Sequence, residues 1–87
     1  MNGWRVELSQ DARKFLQKLR DERLKGRIGL ALDSLAANPR PSTCKALSGM
    51  ENTYRIRVSD YRVLYKIEDQ RLLVLVLQIG HRRKVYR

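Results

Sequence analysis

Two hydrophobic periods alternate along this chain. Trp4, Val6 and Leu8 take every second position, with Arg5 and Glu7 between them, the pattern of a strand with one buried face. From Ser9 the period lengthens. Ala12, Phe15, Leu16 and Leu19 fall at i, i+3, i+4 and i+7, one apolar stripe of an amphipathic helix. Ser9 suits its N-cap, and Asp11 in the first turn suits its dipole. The polar stretch 20–23 holds neither Gly nor Pro, so it marks a break without fixing where the next helix begins. Leu24, Ile28, Ala31, Leu32 and Leu35 line one side of that second helix. Asn38-Pro39 ends it, because a proline ring disfavours helix at the residue before it.

Residues 39–43 read as a linker, Lys45-Ala46-Leu47 as a short extended piece and residues 48–52 as a loop. The period of two then returns in Tyr54-Arg55-Ile56-Arg57-Val58 and Tyr61-Arg62-Val63-Leu64-Tyr65, separated by Ser59-Asp60. With a two-residue turn, Val58 pairs with Tyr61, Arg57 with Arg62 and Ile56 with Val63. Tyr54, Ile56, Val58, Tyr61, Val63 and Tyr65 then share one face, and Arg55, Arg57 and Arg62 the other. Directly opposed like charges destabilise a strand pair, and an anion between them is the usual reason to keep them. A second turn at residues 68–71 leads into Leu72–Ile79, an apolar run that reads as a strand buried on both faces. The helical pair covers only one face of this sheet. Leu64, Leu73, Leu75 and Leu77 on the other need cover from the tail or from a partner. The expected fold is α+β: one domain over residues 1–87, an N-terminal strand and a helical hairpin packed on an antiparallel meander.

Charge sharpens this picture. The 87 residues carry a formal net charge of +10, which favours a polyanionic partner such as nucleic acid, an anionic surface or an acidic protein. Gly80-His81-Arg82-Arg83-Lys84-Val85-Tyr86-Arg87 adds a second cationic cluster where the last strand ends, so it can converge on the hairpin arginines. The single cysteine, Cys44, excludes an internal disulfide, and no zinc-type spacing occurs. No cofactor or metal is expected. The opening residues lack the apolar core of a signal peptide, and no apolar run is long enough to span a bilayer. A cytoplasmic protein with no membrane partner is the expectation.

The order of strand, two helices and meander, with the phrases Tyr54–Val58, Asp60–Tyr65 and Gly80–Tyr86, resembles the RelE/ParE superfamily of bacterial toxin–antitoxin toxins. Lys45-Ala46-Leu47-Ser48-Gly49 fits the same pattern. The resemblance covers essentially the whole chain and implies a microbial-RNase-type architecture. It also implies a cognate RelB-like antitoxin, with the toxin–antitoxin complex binding operator DNA through the antitoxin. RelE-like members are ribosome-dependent endoribonucleases that cut mRNA in the A site; ParE-like members inhibit DNA gyrase without cutting RNA. Arg55, Arg57, Arg62, Arg82 and Tyr86 match the RelE-like functional positions, so that branch is expected, with the ribosome and mRNA as partners. The first two cations are commonly Lys in that branch and are Arg here. Arg82 and Arg83 both remain candidates for the post-strand role. A ParE-like gyrase inhibitor and a non-catalytic basic nucleic-acid-binding module are the alternatives.

The residues set limits on the chemistry. Arginine stays protonated at any relevant pH, so Arg55, Arg57 and Arg62 suit charge stabilisation and not proton abstraction. Tyr86 is a candidate base, since neighbouring guanidiniums favour its phenolate, or a platform on which a base stacks. Arg82 suits electrostatic help to the leaving oxygen. His81 alone has an ordinary pKa near neutrality and is the rival acid or base. Arg55, Arg57, Arg83, Lys84 and Arg87 are the expected RNA- and ribosome-binding cations.

Overall fold

A computed structural model describes residues 3–83 of the protein. The elements follow in the order β1 (Arg5–Leu8), α1 (Gln10–Lys18), α2 (Glu22–Ala37), β2 (Lys45–Ala46), β3 (Thr53–Val58), β4 (Tyr61–Glu68) and β5 (Leu73–His81), with a 3-10 turn at Asp69–Arg71. The strands form one sheet in the order β1-β5-β4-β3-β2. The expected meander of β3, β4 and β5 is antiparallel throughout. The short piece at Lys45 extends it on one side as an antiparallel edge strand. The first strand extends it on the other, parallel to β5, with Val6 beside Val74.

Each helix begins where a side chain satisfies an orphan backbone donor. Ser9 accepts from the Ala12 amide at 3.1 Å and Asp21 from the Leu24 amide at 3.1 Å. Asp21 thus fixes the boundary that the polar stretch 20–23 left open. Both helices cover one face of the sheet. Ala12, Leu24, Ile28 and Leu35 pack with Ile56, Val58, Val63, Tyr65, Ile67, Val74, Val76 and Ile79 in a single core. Ile28 and Leu35 have no exposed surface, and truncating either to Ala costs about 2–5 kcal/mol.

β5 departs from the expected unbroken strand at both its start and its middle. Leu72 stands outside it, at a φ of 49° and 51% exposed, capping the 3-10 turn. Within it, Leu64 faces Gln78 while Tyr65 faces Val76, so Leu77 is an extra residue, a β-bulge. The bulge shifts the alternation by one, which puts Ile79 into the core with Val74 and Val76. Ser9 secures this irregularity: its hydroxyl donates to the Leu77 carbonyl at 2.7 Å, and its amide to the Val76 carbonyl at 2.8 Å. On the sheet face away from the helices, Leu64 and Leu73 are buried, at 6% and 2% exposure, while Leu75 and Leu77 are half-buried.

The linker is tied down at two points. The buried Tyr65 hydroxyl donates to the Pro39 carbonyl at 2.8 Å. Arg40 donates through both terminal nitrogens to the Asp69 carboxylate, at 3.0 and 2.9 Å, and through Nε to the Tyr54 hydroxyl at 3.3 Å. That pairing holds the Asp69 carboxyl below the usual carboxylate range. Burial pushes the Tyr65 hydroxyl well above its usual value.

Candidate functional site

β3 and β4 pair in the register set by a two-residue turn: Val58 opposite Tyr61, Arg57 opposite Arg62 and Ile56 opposite Val63. Ser59 takes a φ of 58° while Asp60 keeps a negative one. This is the pattern of a type II′ turn, whose twist matches that of the flanking strands. Because Ile56, Val58 and Val63 enter the core, alternation forces Arg55, Arg57 and Arg62 onto the sheet face away from the helices. The arginines are therefore placed by the same apolar pattern that drives folding.

β5 completes the arrangement. Gly80 lies opposite Arg62, so the row Arg57–Arg62–Gly80 crosses three strands and ends at a residue with no side chain. Just beyond it, the Arg82 amide donates to the Asp60 carbonyl at 2.9 Å, closing the end of β5 onto the hairpin turn. Burial first, then the charges of Arg55, Arg57 and Arg82, hold the Arg62 guanidinium below its usual value. It remains cationic at neutral pH. Arg82 is one of the charges that act on Arg62; Arg82 and Arg83 are both exposed, and the Arg83 amide donates to His81 Nδ1 at 3.3 Å.

His81 does not join this group. It pairs with Tyr61, and the two rings meet edge to face at 5.5 Å on the helix-covered side of the sheet, where Tyr61 also contacts Phe15. The bulge at Leu77 sets that parity, which an unbroken alternation hides. Lys84, Tyr86 and Arg87 lie outside the described residues.

One cation was missed in the sequence. Lys45 pairs with Arg55 across β2 and β3, which puts it on the arginine face. Ser42, Thr43, Lys45, Arg55 and Arg57 line a groove of about 480 Å³. The extended character of Lys45-Ala46-Leu47 was legible, but its register against β3 is fixed by a loop with Gly49 at a φ of 79° and Asn52 at 53°. No periodicity reports such turns.

A chemical group with two or more negatively charged oxygens matches this face: fixed guanidiniums on a rigid sheet stabilise such charge without reorganising. The protein is thus of the small α+β class with a helix-covered sheet and a cationic outer face. Residues 6–86 match the sequence profile of a family described as "ParE toxin of type II toxin-antitoxin system, parDE". The toxin RelG of Mycobacterium tuberculosis is 29% identical over 82 residues, 94% of either chain. A RelE-like toxin protein of Escherichia coli is 30% identical over 83 residues, covering 93% of this chain and 85% of its own. Among solved structures, the archaeal RelE–RelB complex from Pyrococcus horikoshii superposes with a TM-score of 0.80 at 26% identity, over 94% of this chain and 98% of that one. The chain belongs to the RelE/ParE superfamily of toxins of type II toxin–antitoxin systems, and within it is RelE-like.

Proposed function

We propose that this toxin is a metal-independent endoribonuclease that cuts mRNA on the ribosome and so arrests translation. The observation that carries the reading is the opposition of Arg57 and Arg62 in a register fixed by the core. A fold gains nothing from that pair, whereas a phosphodiester seated between them gains two charge-assisted contacts.

In the reaction the 2′-oxygen of one nucleotide attacks the adjacent phosphorus. The O2′–P bond forms and the P–O5′ bond breaks, leaving a 2′,3′-cyclic phosphate and a 5′-hydroxyl. The 2′-OH proton passes to a base, and the departing 5′-oxygen takes up a proton. Arg55, Arg57 and Arg62 stabilise the extra charge of the phosphorane, and Arg82 acts on the leaving oxygen. Tyr86 is assigned as proton acceptor by its match to the family pattern. His81, on the opposite face, is left as a packing residue. A site with strong charge stabilisation and a modest acid–base inventory suits an enzyme whose substrate is oriented by the ribosome.

The partner proposed for the unintoxicated state is a RelB-like antitoxin, as in the Pyrococcus RelE–RelB complex. An acidic or amphipathic helix complements the +10 charge and the half-buried Leu75 and Leu77. Operator DNA would be reached through that antitoxin. The reading places the toxin in the cytoplasm; among the described residues no helix is long and apolar enough to cross a membrane.

Programmed ribosomes purified free of other nucleases test the activity. Wild type is expected to cleave mRNA in the A site, and Arg62→Ala to lose about 10²–10³ in rate, the usual effect of removing one preorganised charge-stabilising group. Intact mRNA with wild type, or equal cleavage by Arg62→Ala, refutes the enzyme. The ParE description of the matching family favours one rival, gyrase inhibition. A supercoiling assay in which the protein blocks gyrase while sparing mRNA would establish that rival.

A further inference from the structure

Two like-charge cross-strand pairs lie side by side on this sheet, and the proposed cleavage gives Lys45, in the second of them, no role. Arg57 faces Arg62 across β3 and β4. Arg55 faces Lys45 across β2 and β3, on the same side of the sheet. Like charges set opposite one another repel, and an anion seated between them relieves that repulsion. The two positions on β3 are two residues apart, ~6.6 Å along the strand. That distance is comparable with one nucleotide step of an extended single strand.

The surroundings of the second pair match an anion as well. The groove that Lys45, Arg55 and Arg57 line is completed by Ser42 and Thr43, whose hydroxyls are hydrogen-bond donors. Among the described residues that line it there is no carboxylate. The neighbouring grooves carry carboxylates: Asp21 and Asp60 line the one at the hairpin turn, Glu68 and Asp69 the one at the 3-10 turn. Lys45 stands on an edge strand of two residues, so among the described residues an approaching strand meets no further β-strand on that side.

We propose that Ser42, Thr43 and Lys45, together with Arg55 shared with the cleavage site, form a second phosphate subsite. It holds the phosphodiester adjacent to the one between Arg57 and Arg62, so that the toxin grips two successive phosphates of single-stranded RNA. The inference rests on the nuclease reading for the identity of the strand. It goes beyond that reading in assigning Lys45 to substrate binding and in giving the site a direction, from the hairpin toward the β2 edge. Lys45 is a binding residue here, with no part in bond breaking.

The test is equilibrium binding of a fluorescently labelled 2′-O-methyl RNA pentamer, which cannot cleave itself, to the full chain across a salt series. Neutralising one phosphate contact on a single strand lowers the slope of log K against log salt by ~0.7, equivalent to about fivefold in affinity at 0.1 M salt. Lys45→Gln is expected to lose that amount and Lys45→Arg to keep it. A pentamer carrying one neutral methylphosphonate, walked along the strand, should bind wild type and Lys45→Gln equally when the substitution sits at the second subsite. Thermal unfolding checks that the variants fold, as expected for an exposed edge residue. The subsite is refuted if Lys45→Gln keeps the wild-type slope while Arg57→Gln lowers it. If wild type itself does not bind the pentamer, both the subsite and the single-strand reading fall together.

Discussion

At Arg62 folding and anion binding make opposite demands. Burial and the charges of Arg55, Arg57 and Arg82 lower its pKa in the folded state. A base whose folded pKa lies below its unfolded value destabilises the fold wherever it is charged, which includes all of neutral pH; the cost disappears only above the unfolded pKa. Arg62→Gln is therefore expected to unfold at a higher temperature than wild type while failing to cleave mRNA. A lower midpoint would mean that Arg62 supports the sheet instead of taxing it. Ser59 poses a related question two residues from Arg57. Its φ of 58° is one that a non-glycine residue adopts at a cost. Ser59→Gly should add about 1 kcal/mol, or about 4–8 °C in melting temperature for a chain of this size. Scanning calorimetry decides both.

Among the elements, two tethers hold the irregular parts in place. Ser9 caps α1 and also binds the carbonyl of the bulged Leu77. Ser9→Ala removes both contacts and should cost about 1–2 kcal/mol in urea unfolding. The second tether is Arg40 with Asp69. The folded pKa of Asp69 lies below its unfolded value, so its contribution is fully present above about pH 4, the unfolded value, and is lost as pH falls through the lower folded value. Asp69→Asn should therefore be less stable than wild type at pH 7, with the gap closing in acid. A gap that persists at pH 2 would show that geometry, not charge, makes the contact. The hairpin, both helices and the meander were legible because each depends on local period and turn chemistry. The bulge was not. Leu72–Ile79 is apolar at nearly every position, so nothing in it marks where the alternation slips, and His81 consequently lands on the helix-covered side.

At the scale of the molecule, a surplus of ten positive charges on 87 residues repels itself. Raising salt from about 20 to 200 mM shortens the screening length to below about 10 Å, so the melting temperature should rise with salt. A fall would mean that ion pairs such as Arg40–Asp69 outweigh the repulsion. The sequence also left open where the first strand goes. Trp4–Leu8 shows its period but not its partner, and a parallel neighbour some 70 residues away leaves no local mark. That partner is β5, which lies between β1 and β4. β5 is the last of the described strands to be synthesised, and it links the two parts of the sheet. Until it emerges, β1 has no strand to pair with, Arg62 has no Gly80 opposite it, and the hairpin turn lacks the Arg82 amide. The hairpin arginines thus sit in a complete sheet only once β5 has been made.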